Sequence, residues 1–251
     1  MEINLANKTA IITGAGQGIG LRIAELLHNS GANIILNDVD ASLCKEATAK
    51  VGARCVGMTG DSSDPTFIEK MVKNAVETFG QLNIAIANAG ITLFGNFSDY
   101  PVADFERVMD VNLRGTFYLA QIASNQMIKQ GNGGSLLFTS SVTGHQAHKN
   151  LAAYSMTKAG IEMLAKNLVS EISEYGINVN CIAPGATLTE RTLQDPEYTS
   201  IWSKLTPTKR PGTVDDVANA AVFLVSEQAK QITGQSLVID GGWSSMSPSP
   251  Y

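Results

Sequence analysis

The sequence has little cysteine, no clustered positive charge and no long apolar run. Its three cysteines, Cys44, Cys55 and Cys181, form no Cys-x-x-Cys pair, so reduced thiols are expected instead of a disulfide framework or a zinc site. The 18 basic residues are outnumbered by 23 acidic ones and form no cluster, which argues against a nucleic-acid partner. No apolar run approaches the roughly 18 residues of a membrane-spanning helix, and the N-terminus lacks the pattern of a secretion signal. A cytoplasmic location is therefore expected, with no membrane partner.

What the sequence does contain is a regular alternation of short β-rich runs with longer helical patterns. Seven runs are predicted as strands: residues 9–13, 33–37, 53–58, 83–88, 135–140, 177–183 and 236–240. Most of them are apolar at both alternating positions, which is typical of strands that helices cover on both faces. The prediction is a single α/β domain over residues 1–251, built on a doubly wound parallel sheet.

One long stretch, residues 185–212, shows only weak periodicity. In a compact domain such a stretch is more often functional than disordered, so it is predicted to be a substrate lid. Directly after it, Thr213 and Asp216 have the spacing of a capping box, which predicts that a helix begins there. The tail after Trp243 is expected to be loosely held, or docked on a neighbouring subunit.

A glycine-rich turn follows the first predicted strand. It carries glycines at positions 14, 16, 18 and 20 and opens a helical pattern that ends at Gly31. Glycines let the backbone turn tightly and approach a pyrophosphate, and the helix N-terminus offers unpaired N–H groups with partial positive charge. The alternative is a plain glycine-rich turn, which the strand-turn-helix context disfavours.

An acidic residue, Asp38, ends the second predicted strand, 18 residues after Gly20. A carboxylate at this place accepts hydrogen bonds from the adenosine ribose hydroxyls and repels the 2′-phosphate of NADP. NAD is therefore favoured over NADP. The alternative role, as N-cap of the following helix, suits Asp40 better.

The segment Tyr-Ser-Met-Thr-Lys, residues 154–158, places a tyrosine and a lysine four residues apart on a predicted helix. Oxidation of an alcohol removes a hydride and a proton, and a nicotinamide accepts only the hydride. A free tyrosine has a pKa of about 10, so a tyrosine base acting near neutrality needs a nearby cation. The ammonium of Lys158 is close enough to Tyr154 to supply that charge. Taken alone, the pair also fits two surface residues that share a helical face.

Several motifs in matching order and spacing resemble those of the short-chain dehydrogenase/reductase family, and the resemblance covers essentially the whole chain. The matches are TGxxxGxG at 13–20, NNAG approximated at 87–90, YxxxK at 154–158 and PGxxxT at 184–189. Two positions depart from the family: Ala87 replaces the first asparagine of NNAG, and Thr187 stands where isoleucine or valine is usual. The resemblance implies a Rossmann-type fold with a seven-stranded parallel sheet, an NAD(P)-dependent oxidoreductase acting on CH–OH donors, and a homotetramer.

The resemblance also implies a catalytic tetrad of Asn112, Ser141, Tyr154 and Lys158. Tyr154 would be the general acid/base, and Lys158 would tune it and bind the nicotinamide ribose. Ser141, thirteen residues before Tyr154, would steady the substrate oxygen, with Ser140 pointing elsewhere. Asn112 would hold a water that links Lys158 to solvent. The residues implied to bind the cofactor are Gly14, Gln17, Gly18, Ile19, Gly20, Asp38, Asp61, Ser62, Asn88, Ala89, Gly90, Tyr154, Lys158, Pro184, Gly185, Thr187 and Thr189.

Substrate contacts are predicted from position. His145 and His148 form an HxxH pair in the loop before Tyr154, but no third ligand is evident, so no metal site is predicted and a place at the pocket rim is expected. The candidates for substrate contact are Thr92, Ser141, Thr143, His145, Glu190, Arg191 and Trp202.

The predicted lid is polar just past the cofactor loop, which favours a hydroxylated substrate over a steroid. The first hypothesis is therefore NAD-dependent oxidation of a secondary alcohol in a sugar, sugar acid or polyol. The second is reduction of a 3-oxoacyl carrier-protein or other carbonyl substrate, since the chain resembles both kinds of enzyme within the family. A third, a non-catalytic NAD(H)-sensing protein, is disfavoured because such a protein needs no catalytic tetrad.

Overall fold

Seven of the nine strands in the computed structural model, which describes residues 3–247, form one parallel sheet. In chain order the strands are β1 (Thr9–Ile12), β2 (Asn33–Asp38), β3 (Cys55–Thr59), β4 (Ile84–Ala87), β5 (Gly134–Thr139), β6 (Ile177–Pro184), β7 (Thr187–Leu188), β8 (Gly212–Thr213) and β9 (Ser236–Ile239). All seven predicted strands are found, each end within two residues of its predicted place. The predicted fold class is confirmed.

Eight α-helices connect the strands of the described chain. They are α1 (Gly18–Asn29), α2 (Ala41–Val51), α3 (Pro65–Phe79), α4 (Val102–Val108), α5 (Gly115–Gln130), α6 (Ala152–Ile172), α7 (Tyr198–Leu205) and α8 (Val214–Leu224). The predicted capping box is present at the start of α8, where Thr213 and Asp216 satisfy each other's backbone N–H groups. Asp40 caps α2, as expected, by accepting from the N–H groups of Ser42 and Leu43. None of the helices within residues 3–247 has the length and apolarity to cross a membrane.

The strands of the large sheet follow the order β3-β2-β1-β4-β5-β6-β9, all parallel. The chain builds outward from β1 to β3, then returns to place β4 on the other side of β1. This reversal opens a crevice between the carboxyl ends of β1 and β4, which is where doubly wound sheets bind their ligands.

Alternate residues of each strand pack into opposite layers. Ile12 and Leu137 belong to the layer that contains the apolar faces of α1, α2 and α8. Their chain neighbours Ile11 and Phe138 belong to the other layer, with α3, α5 and α6. All four side chains are almost fully buried, which explains why the strands are apolar at both positions.

The predicted lid contains two short strands and a helix, which its weak periodicity did not indicate. β7 pairs in parallel with β8, so the two ends of the segment are held together, and α7 lies between them. Strands of two residues are too short to show a period, which is why the pattern gave no sign of them. Of the predicted loose or docked tail, residues 244–251, the first half is described, and there Ser244 donates its N–H to Asp240 (2.7 Å), while residues 248–251 lie outside the described residues.

Candidate active site

The glycine turn leaves β1 and passes directly over the end of β4. Gly14 has φ of +59°, and a Cβ added there would lie 2.7 Å from the Cα of Ala89. A Cβ on Gly20 would lie 2.5 Å from Asn88 Nδ2. That same amide donates to the carbonyls of Thr13 (3.1 Å) and Gly14 (2.8 Å). Asn88 therefore clamps the turn to β4, and only glycine fits beside the clamp.

The N-terminus of α1 lacks a side-chain cap. Its N-cap residue, Gln17, makes no capping hydrogen bond, and no acidic residue lies in the first turn. Asp40, Asp64 and Thr213 cap the starts of α2, α3 and α8 with their side chains. The first N–H groups of α1 are therefore open to an anion, and the helix dipole favours one there.

A groove of about 780 Å³ lies above this turn, at the carboxyl ends of the central strands. Most of the residues predicted to bind the cofactor line it, together with three of the substrate candidates. The lining residues among those predicted are Gly14, Gln17, Gly18, Ile19, Gly20, Asp38, Asp61, Ser62, Asn88, Ala89, Gly90, Thr92, Tyr154, Lys158, Thr189, Glu190 and Arg191. The predicted site residues outside its lining are Asn112, Ser141, Thr143, His145, Pro184, Gly185, Thr187 and Trp202.

Two carboxylates stand at the ends of the neighbouring strands. Asp38, the last residue of β2, accepts hydrogen bonds from the N–H groups of Gly16 (2.9 Å) and Asp40 (3.1 Å). Asp61, in the loop after β3, accepts from the backbone N–H and the hydroxyl of Ser63 (both 2.8 Å). Both carboxylates are thus oriented by backbone groups while they border the groove.

Lys158 is a buried cation at the floor of the groove. Its side chain reaches Thr139, whose carbonyl accepts a 2.7 Å hydrogen bond from Nζ, and the residue is only 3% exposed. Nζ lies 5.4 Å from the centroid of the Tyr154 ring. No carboxylate among the described residues lies within 4.0 Å of Nζ. The charge is therefore not neutralised by an acid, and its field acts on the nearby phenol.

Asn112 lies in a π-helical turn, Met109–Arg114, inserted between α4 and α5. Its side chain is fully buried and accepts from the N–H of Ile91 (2.8 Å). Its amide donates to the carbonyl of Ile91 (3.1 Å) and to the hydroxyl of Thr157 (3.1 Å). π-turns are rare and cluster at functional sites. Here the turn joins the loop after β4 to the helix that carries Tyr154 and Lys158.

Ser141 stands at the end of β5, where it begins a short helical turn over Val142–Gly144. Its Oγ accepts from the N–H of Thr143 at 3.3 Å. Because a hydroxyl carries one hydrogen and two lone pairs, this contact leaves the hydrogen of Ser141 free to donate elsewhere. Ser140 points away from that side, since its hydroxyl contacts the carbonyl of Lys158 (3.1 Å) and the carboxylate of Glu162 (2.6 Å).

The loop after β6 is held by β9 on one side and by the predicted lid on the other. The N–H of Gly185 donates to Ile239 (3.0 Å), and the N–H of Thr187 donates to the hydroxyl of Tyr198 (3.2 Å). Burial raises the pKa of Tyr198, so its hydroxyl stays neutral. Thr189 lies beside Gly18, with its Cγ2 3.6 Å from the place of an added Cβ. This loop therefore closes the groove at the N-terminus of α1.

The remaining substrate candidates, Trp202, His145 and Thr143, do not line the groove. Trp202, on α7, packs edge-on against Trp243 with ring centroids 5.4 Å apart, which ties the lid to the C-terminal segment. His145 pairs with Glu162 at 3.0 Å, and His148 is exposed. The hydroxyl of Thr143 is buried without a hydrogen-bond partner. No group of three or more His, Cys, Asp or Glu side chains within residues 3–247 is arranged to hold a metal.

Three threonines and one acid in this site were not among the predicted residues. Thr13 accepts from the N–H groups of Asn88 and Ala89 (both 3.2 Å), and Thr139 and Thr157 hold Lys158 and Asn112 as described above. Thr157 lies inside the Tyr-Ser-Met-Thr-Lys segment, so its position was visible in the sequence, but its role depends on contacts with distant elements. Glu162, the acid, lies outside that segment, and its role likewise depends on contacts with distant residues.

The residues at the groove fit a dinucleotide such as NAD. The turn has no side chain between the backbone and the groove at Gly14 and Gly18, and the open end of α1 supplies N–H groups suited to a pyrophosphate. The carboxylate of Asp38 stands at the end of β2, where a ribose would be bound.

Comparison with known proteins places this geometry in a wider context. The family model described as Enoyl-(Acyl carrier protein) reductase matches residues 14–244. L-rhamnose 1-dehydrogenase (NAD(P)(+)) of Sphingomonas sp. (strain SKA58) is 36% identical over 245 residues, which covers 95% of this chain and 96% of that protein. NAD-dependent glycerol dehydrogenase of Listeria innocua serovar 6a is 34% identical over 245 residues, with 96% of each chain covered. The crystal structure of a short-chain type dehydrogenase/reductase from Mycobacterium marinum superposes with a TM-score of 0.90 and 30% identity, covering 96% of each chain.

Proposed function

We propose that this chain, which belongs to the short-chain dehydrogenase/reductase family, oxidises a secondary alcohol of a sugar, sugar acid or polyol with NAD. The chain is an oxidoreductase that acts on CH–OH donors. Two relatives support the hydroxylated substrate class by their names, one being an L-rhamnose dehydrogenase and the other a glycerol dehydrogenase. Their identities of 36% and 34% leave the particular alcohol to experiment.

The observation that carries the proposal is the buried, acid-free ammonium of Lys158 beside the ring of Tyr154. Placing a cation in a poorly solvated site is unfavourable unless partner groups compensate it, and here its only hydrogen-bond partner in the described chain is the carbonyl of Thr139. A tyrosine hydroxyl beside a lysine ammonium is a pairing suited to taking the proton of an alcohol. The arrangement thus supports proton transfer at Tyr154.

The proposed reaction divides between cofactor and protein. NAD, when bound, accepts the hydride from the alcohol carbon. Tyr154 takes the proton from the alcohol oxygen, and Ser141 donates its free hydroxyl hydrogen to the same oxygen. Lys158 would stand beside the charge that develops on Tyr154 and would bind the nicotinamide ribose. Asn112, joined to the Tyr154 helix through Thr157, would hold a water that links Lys158 to solvent.

The cofactor preference and the lid are part of the same proposal. Asp38 favours NAD because its carboxylate repels a 2′-phosphate. Residues 185–212 act as a lid whose closure is limited by the β7–β8 pairing and by the packing of Trp202 on Trp243. Glu190 and Arg191, which line the groove, offer polar contacts suited to hydroxyl or carboxylate groups.

We also propose a single domain that forms a homotetramer in the cytoplasm. Phe117 on α5 and Met163 on α6 are 46% and 55% exposed, and such large apolar side chains on neighbouring helices favour a subunit contact. All three cysteines are unpaired, as is usual in a reducing compartment. Burial raises the pKa of Cys55 to about 12, which keeps this thiol protonated.

Replacing Tyr154 with Phe tests the proposed base. General acid/base catalysis contributes roughly 10²- to 10⁴-fold, so kcat should fall by about that factor while NAD affinity is unchanged. Turnover is followed by NADH absorbance over a panel of sugars, polyols and acyl thioesters, and NADH binding by fluorescence titration. A Tyr154→Phe variant that keeps its activity would contradict the assigned role.

The same panel separates the alternatives. The description of the matching family model favours an acyl carrier-protein substrate as the second candidate, and preferential turnover of 3-oxoacyl thioesters would establish it. A wild-type protein that binds NADH and turns over nothing in the panel would favour a non-catalytic NAD(H)-sensing protein.

A further inference from the structure

A carboxylate lies directly behind the proposed catalytic residues. Glu162 is on α6, four residues after Lys158, and its side chain is 12% exposed. Its Oε1 accepts a 2.6 Å hydrogen bond from the hydroxyl of Ser140, and its Oε2 lies 3.0 Å from Nδ1 of His145. One side chain therefore joins the helix of Tyr154 and Lys158 to both ends of the loop that carries Ser141.

Hydrogen bonding fixes the direction of these contacts. A carboxylate only accepts hydrogen bonds, so the hydrogen of Ser140 and a hydrogen on Nδ1 of His145 must point towards Glu162. The Ser140 hydroxyl has a single hydrogen, and the shorter, charge-assisted contact takes it in preference to the 3.1 Å contact with the Lys158 carbonyl. A largely buried carboxylate also needs such donors, because an unsatisfied one is strongly unfavourable.

The loop lies close against α6 and the Glu162 carboxylate at Gly144. A Cβ added to Gly144 would lie 2.9 Å from Glu162 Oε1, 3.1 Å from Ser140 Oγ and 3.2 Å from the carbonyl carbon of Lys158. The N–H of Gly144 donates to the carbonyl of Ser141 at 2.8 Å. The backbone of the loop thus lies against the carboxylate at Gly144, and the Gly144 hydrogen bond connects that contact to Ser141.

We propose that Glu162 is a positioning residue for the reaction. It holds residues 140–145 against α6, so that the free hydroxyl hydrogen of Ser141 faces the same substrate oxygen that Tyr154 deprotonates. The inference rests on the proposed function, since it assigns Glu162 a part in that site. Glu162 itself touches neither substrate nor cofactor, because Ser140 and His145 lie between.

The test uses Glu162→Ala and Glu162→Gln in the full chain, with the best alcohol found for the wild type. Small misplacements of a reacting group lower rates by up to about 10²-fold, so kcat of Glu162→Ala should fall by roughly tenfold to a hundredfold. The dissociation constant of NADH should stay unchanged. Glu162→Gln keeps the shape and one acceptor oxygen for Ser140, so its kcat should lie between those of Glu162→Ala and the wild type.

A second readout is independent of activity. Without the carboxylate, the backbone N–H groups of residues 143–145 should exchange with deuterium faster in the cofactor-free protein, measured by mass spectrometry. The matched control is Glu171→Gln, the same chemical change at an exposed position of α6. It should alter neither kcat nor exchange in the loop. The NADH-binding fraction corrects each rate for unfolded protein.

The outcomes separate the inference from the function on which it rests. An active wild type with an equally active Glu162→Ala, or a variant that loses only melting temperature, overturns the positioning role alone. Unchanged exchange at residues 143–145 does the same. A wild type that binds NADH but oxidises no alcohol overturns the proposed function, and this inference with it.

Discussion

Replacing Asp38 with Asn isolates the charge that is proposed to select NAD. The carboxylate accepts from the N–H of Gly16 (2.9 Å), and a Cβ on Gly16 would lie 2.7 Å from its Oδ2. Asn keeps the shape of the side chain and one oxygen for that N–H, but it loses the second acceptor oxygen, which the N–H of Asp40 uses at 3.1 Å. Asp38→Asn therefore leaves the glycine turn supported and removes the negative charge from the edge of the groove. Asp38→Ala removes both.

The expected magnitude follows from two terms. Hydrogen bonds from the ribose hydroxyls to a charged carboxylate contribute about 1.5–3 kcal/mol. An amide at position 38 would accept weaker hydrogen bonds, so the Kd of NADH should rise by up to about a hundredfold. A carboxylate and a phosphate about 4 Å apart repel by about 1 kcal/mol in water and about 4 kcal/mol near a protein surface. Because Asp38 borders an open groove, the lower half of that range applies. Relief of the repulsion, about 1 to 2.5 kcal/mol, should improve NADPH binding by roughly five- to seventyfold.

The assay is fluorescence titration of NADH and NADPH against the wild type and both Asp38 variants. The control is Asp40→Asn, which makes the same charge change two residues away, at a side chain that caps α2 and does not line the groove. Its cofactor ratio should match that of the wild type. A wild type that binds NADPH as tightly as NADH would refute the reasoning. So would an Asp38→Asn variant whose ratio of the two dissociation constants is unchanged.

Two further predictions concern stability and assembly. The hydrogen-bonded guanidinium of Arg210, with Thr213, holds the pKa of Asp216 well below its usual range, so the stabilisation is present above about pH 4 and lost below it. Asp216→Asn should therefore lower the melting temperature by about 2–4 °C at pH 7, for a cap contribution of about 1 kcal/mol, and by less in acid. An equal loss at both pH values contradicts this. Phe117→Glu should convert tetramers into smaller species in light scattering; a monomeric wild type would disprove the tetramer.

Much of the fold was predictable because its signals are local. Strands buried on both faces need apolar residues at every position, and the runs around Ile11 and Phe138 have them. Glycines are required where the turn touches Asn88, and they stand out in the sequence. The β7–β8 pairing was missed because strands of two residues, such as Thr187–Leu188, carry no period.

The candidate site was predictable only in part. Tyr154 and Lys158 are related by helical spacing, which sequence alone shows. The carbonyl that holds Lys158 belongs to Thr139, on another element, and no local pattern points to it. Trp202 remains a predicted substrate contact from its place in the lid, and its edge-on packing against Trp243 is a contact that no local pattern shows.

By itself the sequence determined the alternation of strands and helices, the glycine turn and the spacing of Tyr154 and Lys158, because each depends on neighbours within a few residues. Tertiary structure alone decided which groups meet across elements. Asn88 donates a hydrogen bond to the glycine turn, Asn112 donates one to Thr157, and Glu162 contacts Ser140 and His145. The three hydrogen bonds made by Asn88, Asn112 and Glu162 join residues 22 to 74 positions apart, and the Glu162–His145 contact joins α6 to the loop before it. All of them exist only after the strands have paired and the helices have packed. The sequence specifies which functional groups are present, whereas the distance between two side chains is a property of the packed fold.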